Sequence, residues 1–382
     1  MTALDLGSVY RSLGVRGVIN ASATLTRLGG SLMPAPVVQA MADAAGSFVD
    51  LEELHRKVGE RLATLTGNEA AYVSSGATAG IVLTVTACLV GLVPERRVLL
   101  PDTSTLPRNE VIIQRGQRNV YDLAVRQTGA RVVEIEPTAD ALESALSERT
   151  AAVLHFAGVL AAGTLGLDAV VMAAHRRDVP VIVDAAAQIP PISTLWRFTG
   201  EYGADAVILS GGKGLRGPQA SGLILGRRDL VEGCRFNGSP NHGIGRPMKV
   251  GKEELMGLLA AVEWALDQDE PGIIAGYEAS VTRWVDGLAG ISGVRAERAF
   301  PSEAGQPHGR AVVHLGPGAK LGRDELVAAL WDHDPRIAVG TAGDDAIALN
   351  PQTLQPGEDE LVLQAVLDVL RPDRGVLDHG SH

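Results

Sequence analysis

Short apolar runs alternate with longer stretches of helical spacing along most of the chain. Val98-Leu99-Leu100, Val132-Val133-Glu134-Ile135, Ala151 to Phe156, Pro180-Val181-Ile182-Val183 and Ala206-Val207-Ile208-Leu209 read as strands, with Asn109 to Arg115 as another short one. Their apolar residues follow one another rather than alternate, as in strands covered on both faces. Between them, Tyr121 to Thr128, Asp140 to Ser147 and Asp168 to Asp178 read as helices. Upstream, residues 1–16 predict a short helix leading to Gly17-Val18-Ile19-Asn20, and Val37 to Phe48 a helix after Pro34 and Pro36. Leu51 to Thr66 predicts an amphipathic helix that stops at Gly67-Asn68. This alternation predicts an α/β fold, a mainly parallel sheet with helices on both faces.

The pattern changes after a long helix at Val250 to Asp267 and the break Glu270-Pro271-Gly272. Helices at Ala275 to Leu288, Arg323 to Trp331 and Glu358 to Leu370 then mix with strands at Ala311 to Leu315, Ile337 to Val339 and Ala346 to Leu349. That predicts a smaller α+β domain. The expected division is an N-terminal segment 1–48, a large domain 49–268, a small C-terminal domain 269–372 and a flexible tail 373–382.

Candidate chemistry gathers at the ends of three runs. Lys213 lies in Ser210-Gly211-Gly212-Lys213-Gly214-Leu215-Arg216-Gly217-Pro218, directly after an apolar strand. The chain has five lysines against 29 arginines. Lysine can lose its proton and form a Schiff base with an aldehyde, whereas arginine cannot. A surface lysine on a glycine turn is the bland alternative. A P-loop is excluded, because Val207 and Gly214 stand where Gly and Ser/Thr are required. The dinucleotide pattern is matched by Gly212 to Gly217, but Pro218 and a strand follow it where a helix should.

Asp184 ends the strand before, where ligands of open α/β sheets sit. A carboxylate there suits the pyridine nitrogen of pyridoxal phosphate, keeping the ring protonated as an electron sink; an N-cap is the alternative. Gln188 is within reach of the phenolic oxygen of such a cofactor, or is a loop residue. Ala70 to Ser74 reads as a strand, followed by Ser75-Gly76-Ala77-Thr78 and an apolar helix from Ile81 to Val93. Backbone N–H groups at that helix start suit a phosphate.

Size and composition fit a globular chain of 382 residues with 46% hydrophobic and 21% charged residues. A net charge of −11 and the lack of basic clusters argue against a nucleic-acid surface. Two cysteines, Cys88 and Cys234, suit a reducing cytoplasm. No metal-ligand cluster, signal peptide or convincing membrane span is read.

The residues then carry a resemblance over nearly the whole chain. It rests on Val18 to Ser22, Ile112 to Gly116, Val183 to Gln188, Ser210 to Gln219, Pro240-Asn241-His242-Gly243-Ile244-Gly245-Arg246-Pro247-Met248-Lys249-Val250 and Leu349 to Gly357. The chain resembles the fold-type I pyridoxal-phosphate enzymes. Within them it resembles the branch of selenocysteine synthase (seryl-tRNA selenium transferase) and the D-glucosaminate-6-phosphate ammonia-lyase-like proteins. The resemblance implies Lys213 as the Schiff-base lysine, Asp184 at the pyridine nitrogen and Gly76, Ala77 and Thr78 at the phosphate. Gln188 and Ser210 would line the cofactor, and the assembly would be a homodimer or larger with sites at subunit interfaces. Gly212 stands where the selenium transferases have Asp, and Leu28-Gly29-Gly30 where they have Leu-Gly-Arg. With the acidic charge, this makes tRNA a poor substrate. Gln117, beside Arg118, stands where the ammonia-lyase-like group commonly has His, near the residue stacked on the cofactor ring, so the stacking partner stays open.

The expected activity is that of a lyase on a β-hydroxy or sugar-derived amino acid. Lys213 would take the α-proton and His242 would protonate the leaving group. Arg246, Lys249 and Arg216 are the candidates for a substrate carboxylate or phosphate. Racemisation, aldol cleavage and β-replacement share these residues, and a non-catalytic protein that keeps the fold is the remaining alternative.

Overall fold

The strands are β1 (Val18–Ala21), β2 (Ala70–Ser74), β3 (Glu110–Gln114), β4 (Arg131–Ile135), β5 (Thr150–Phe156) and β6 (Val181–Asp184). They continue as β7 (Ala206–Ser210), β8 (Gly222–Gly226), β9 (Val294–Ala299), β10 (Arg310–Leu315), β11 (Arg336–Ala342) and β12 (Ala346–Leu349). This is a computed structural model in which residues 8–371 are described. The tail expected over 373–382 and the first part of the helix expected over 1–16 lie outside the described residues.

Seven strands form one sheet in the order β2-β8-β7-β6-β5-β3-β4. β8 runs antiparallel to β2 and β7, and the other pairs are parallel. β6 is buried at every position because both faces are covered. Val153, Val181, Val183, Val207 and Leu209 meet helices Leu51–Thr66, Leu167–His175 and Lys252–Leu266 on one face. Leu154, Phe156, Ile182 and Ile208 meet helices Ala77–Val90 and Arg228–Asn237 on the other. Leu51–Thr66 shows why these helices form where they do. Asp50 caps it by accepting from the Glu52 and Glu53 amides, Gly67 ends it at φ 65°, and Val58, Leu62 and Ala63 keep one face apolar.

A second, five-stranded sheet has the order β1-β11-β12-β10-β9. Its core includes Ile19, Trp284, Val313, Leu330, Ile347 and Val366. The described residues divide into two compact units: one takes those up to Leu28, Pro271–Glu303 and those from Pro307 onward, and the other takes Gly29–Glu270 with Ala304–Gln306. The segment expected at 1–48 therefore divides between the two units. β1 pairs in parallel with β11, whereas the chain from Gly29 onward belongs with the seven-stranded sheet.

Two local expectations need correction, and one strand was not anticipated. Val98-Leu99-Leu100 is a turn after the short helix Pro94–Arg97, with Val98 74% exposed. Three residues offer too few ladder bonds to offset the entropy of ordering them. Glu270-Pro271-Gly272 opens helix Glu270–Gly287 rather than breaking the chain, because proline is tolerated in a first turn. β9 is an edge strand, and Arg295, Glu297 and Arg298 dilute its apolar pattern.

One close approach positions the C-terminal edge of the large sheet. Gly222 pairs with Ser74 on one side and Ser210 on the other. A Cβ on Gly222 would lie 2.5 Å from the Gly76 carbonyl carbon and 2.7 Å from Ser74 Oγ. Gly222→Val is expected to cost about 1–3 kcal/mol in urea unfolding by overpacking. Gly200→Ala, where an added Cβ meets nothing within 4 Å, should leave stability unchanged or raise it by up to about 1 kcal/mol.

Two core histidines set an acid limit. His55 stacks on Tyr72 at 5.1 Å between ring centroids, and His155 lies near the end of β5. Burial holds both neutral, lowering each pKa to about 4, with Arg235 adding to the effect on His55. Unfolded histidine binds its proton near ~6.5, so the unfolded chain takes up protons first as pH falls. Stability is thus full above about 6.5 and is lost between there and about 4, by about 3 kcal/mol at most per ring. Thermal melts across that range should show the fall, with a flatter slope for His155→Asn; an unchanged slope would remove His155 from this account.

Candidate active site

Asp184 is the last residue of β6, and the residue is 9% exposed. Oδ1 accepts from the Ala186 amide at 2.9 Å. The Ala157 amide donates to its carbonyl at 2.9 Å, tying it to the end of β5. Burial raises the carboxyl pKa, opposed by the Ala186 hydrogen bond and by the charge of Lys213. Lys213 follows β7 on the neighbouring strand. Burial lowers its ammonium pKa, opposed by Asp184. The two groups therefore sit close enough to act on each other, in an environment that favours a deprotonated amine.

The glycines around Lys213 are packed rather than loose. A Cβ on Gly211 would lie 2.0 Å from Ser221 Oγ, on Gly212 2.5 Å from Gln219 Cα, and on Gly214 2.1 Å from the Ile189 carbonyl oxygen. The Arg216 amide donates to the Lys213 carbonyl at 3.0 Å and the Gly217 amide to Gly211 at 2.8 Å. Arg216 itself takes φ 55°, a left-handed conformation rare for a side chain of its size. Its guanidinium donates to the Leu32 carbonyl at 2.9 Å and lies over the Trp264 ring.

Ser74 and Ser210 occupy the same row of the sheet, with Gly222 between them. With strands ~4.8 Å apart, the turn after β2 and the turn after β7 start about 10 Å from each other. Gly76, at φ 119° with nothing within 4 Å of where a Cβ would stand, heads helix Ala77–Val90. The first amides of a helix have no partner within it and carry its positive end. Ala77 is half-buried and Thr78 exposed at this start. Pyridoxal phosphate requires an amine that can lose its proton, an acid for its ring nitrogen and amides for its phosphate, and this edge supplies all three.

Other residues singled out in the sequence lie elsewhere or are already engaged. Gln117 has no exposed surface. Its Oε1 accepts from the Phe156 amide at 3.1 Å, and its Nε2 lies 3.2 Å from both Thr164 Oγ1 and His155 Nδ1. A fully enclosed amide offers no face to a cofactor ring. Arg118 is paired with Asp122 at 2.5 Å and Glu134 at 2.6 Å. Gln188 donates to the Ala304 carbonyl at 2.8 Å, beside Gly158. His242 and Lys249 are exposed and Arg246 is half-buried. Their loop runs along helix Ala77–Val90, with Gly245 against Leu83 and Gly243 against Arg97, beyond the helix's C-terminal end. No hydrogen bond or ion pair among the described residues links those three side chains to Asp184 or Lys213.

Two of the motifs behind the resemblance meet in the smaller unit. Ser22 bridges to Asn350, the Asn350 amide donates to Ala21 at 2.9 Å, and Thr353 Oγ1 donates to the Asn20 carbonyl at 2.6 Å. Asn350 in turn donates to Glu303 at 2.8 Å. Sequence reasoning missed Ser31, which donates through its amide to Gly212 and through its hydroxyl to the Lys213 carbonyl. The adjacent Gly29-Gly30 pair was the available signal.

Residues 38–207 match the DegT/DnrJ/EryC1/StrS aminotransferase family. The chain is 35% identical to a 5'-C-glycyluridine monooxygenase-decarboxylase from a Streptomyces species, over 97% of this chain and 93% of that protein. It is 32% identical to the D-glucosaminate-6-phosphate ammonia lyase of Salmonella typhimurium, over 95% of this chain and 98% of that one. A solved structure of D-glucosaminate-6-phosphate ammonia-lyase superposes with a TM-score of 0.82 at 31% identity, covering 97% and 98% of the two chains. Since identity and fold agree from end to end, the chain belongs to the fold-type I pyridoxal-phosphate enzymes, in the group that holds D-glucosaminate-6-phosphate ammonia-lyase.

Proposed function

We propose that the chain is a pyridoxal-phosphate-dependent lyase acting on a β-hydroxy or sugar-derived amino acid and releasing ammonia and a 2-oxo acid. The observation that carries this is the full-length likeness to the ammonia lyase, in sequence and in fold, around a buried Asp184–Lys213 pair. Bound pyridoxal phosphate supplies an aldehyde and an electron-withdrawing ring that makes the α-proton of an attached amino acid acidic. Lys213 would anchor the aldehyde and would accept the α-proton, for which a lowered ammonium pKa suits it. Asp184 would stand to the ring nitrogen as its proton partner. The amides of Gly76, Ala77 and Thr78 would hold the phosphate, and Ser210 and Gln188 would help line the cofactor. The β-hydroxyl leaves with a proton as water, and the released enamine takes up water to give the 2-oxo acid and ammonia.

His242, Arg246 and Lys249 belong to this reading only through a second copy. Their loop packs on Leu83 and Arg97 and makes no hydrogen bond or ion pair to Lys213 among the described residues, and we assign them to the site of a neighbouring protomer in a homodimer or larger assembly. His242 would there protonate the leaving oxygen, and Arg246 would hold a carboxylate. We place the enzyme in the cytoplasm, which its two free cysteines suit; no helix among the described residues is long and apolar enough to cross a membrane.

One observation favours a second reading. The 35% full-length identity to a monooxygenase-decarboxylase supports oxygen-dependent decarboxylation of an amino acid on the same residues.

Purified protein given pyridoxal phosphate should show an absorbance band near ~400 nm that borohydride removes, and Lys213→Ala should lack it. No band in the wild type would overturn the enzyme reading. Asp184→Asn should keep the band and lose about a hundredfold or more in turnover, since it leaves the ring nitrogen without an acid. A panel of β-hydroxy amino acids and amino-sugar acids, followed for ammonia and 2-oxo acid, should give product without oxygen uptake. Oxygen uptake with carbon dioxide release would replace the lyase by the second reading.

A further inference from the structure

Lys213 is held from outside its own turn by a segment far away in sequence. The Ser31 amide donates to the Gly212 carbonyl at 2.9 Å, and Ser31 Oγ donates to the Lys213 carbonyl at 2.8 Å. One residue further, the Leu32 carbonyl accepts from Arg216 Nε at 2.9 Å. Three hydrogen bonds thus bind Ser31 and Leu32 across the turn 212–216. The approach is tight, because a Cβ on Gly30 would lie 2.3 Å from the Gly212 carbonyl oxygen. Gly30 itself is at φ 74° and Gly29 at φ 92°, so the chain enters this segment through two left-handed residues.

Gly30 and Gly212 meet here backbone to backbone. Small residues at both places let the main chains meet, and the next residue along, Ser31, supplies the hydroxyl that reaches the lysine carbonyl.

We propose that Ser31 is a positioning residue for Lys213, its hydroxyl fixing the backbone from which the lysine side chain reaches the cofactor. The Lys213 carbonyl has two donors, Ser31 Oγ and the Arg216 amide. The Arg216 amide comes from within the turn and moves with it, whereas Ser31 belongs to a separate segment and sets where the turn stands. Removing the hydroxyl leaves the lysine on a turn that samples more positions. The side chain then spends less time in the buried setting, binds the aldehyde less tightly and behaves more like an ordinary lysine.

This inference rests on the reading of Lys213 as the residue that anchors pyridoxal phosphate. The test compares the wild type with Ser31→Ala and Ser31→Thr, all as full-length protein stripped of cofactor. Two quantities are measured: the dissociation constant for added pyridoxal phosphate from the absorbance titration, and the pH midpoint of Lys213 acetylation followed by peptide mass spectrometry. Ser31→Ala should bind pyridoxal phosphate about 3- to 10-fold more weakly, the scale of one lost hydrogen bond, and its labelling midpoint should rise toward the usual lysine range. Ser31→Thr, which keeps the hydroxyl, should restore both. If Ser31→Ala is not folded by circular dichroism, Ser31→Cys, of similar size and a weaker donor, takes its place. Binding and midpoint unchanged in the alanine or cysteine variant would overturn the proposal, as would a threonine variant as impaired as the alanine one. A wild type that shows no band with pyridoxal phosphate would overturn the functional reading instead, so the two failures are separable.

Discussion

At the C-terminal edge of the large sheet, three backbones come together in one row, Ser74, Gly222 and Ser210, and the middle one has no side chain. Everything attributed to the site depends on that row. β8 is the antiparallel strand between the turn that heads helix Ala77–Val90 and the turn that carries Lys213. Because Gly222 lets Gly76 settle against it, the amide-rich end of the helix and the lysine emerge side by side. Asp184 joins them from the next strand. Burial acts on the pair in opposite senses, raising the acid and lowering the base. Each charged form is disfavoured by the interior and favoured by the other group.

Rigidity at this edge comes from contact, not from composition. Glycine-rich turns are often read as loose, yet the glycines around Lys213 each face an atom that a methyl group would strike. The only residue of the turn with a left-handed backbone and a large side chain, Arg216, is held by the Leu32 carbonyl and the Trp264 ring. Such a turn delivers one flexible side chain from a fixed base.

Much of this was legible in the sequence for physical reasons. Strand-terminal Asp184 and Lys213 stand out because buried parallel strands are continuous apolar runs, so a charged residue at the end of one is conspicuous. Leu51–Thr66 was legible to its last residue because both its caps are local. Pairing between distant segments was not legible. β1 joins β11 across almost the whole chain, and nothing in Val18 to Ala21 says so. Gln117 has the look of a ligand residue, but its amide matches the backbone of β5 and turns inward. The loop of His242 carries side chains suited to a substrate, and its packing on Arg97 and Leu83 was not readable from them. Ser31 is an ordinary serine until its neighbour 182 residues away is known.

The chain passes between its two compact units at Leu28, at Glu270, at Glu303 and at Gln306. The last two crossings enclose only Ala304, Gly305 and Gln306, whose main chain and side chains bond Gln188 and Ile189 in the larger unit. Neither unit is therefore a contiguous stretch of the gene. Recombination with a relative cannot exchange one of them by a single crossover, and a graft of the smaller unit must leave Ala304, Gly305 and Gln306 behind to keep their bonds to Gln188 and Ile189.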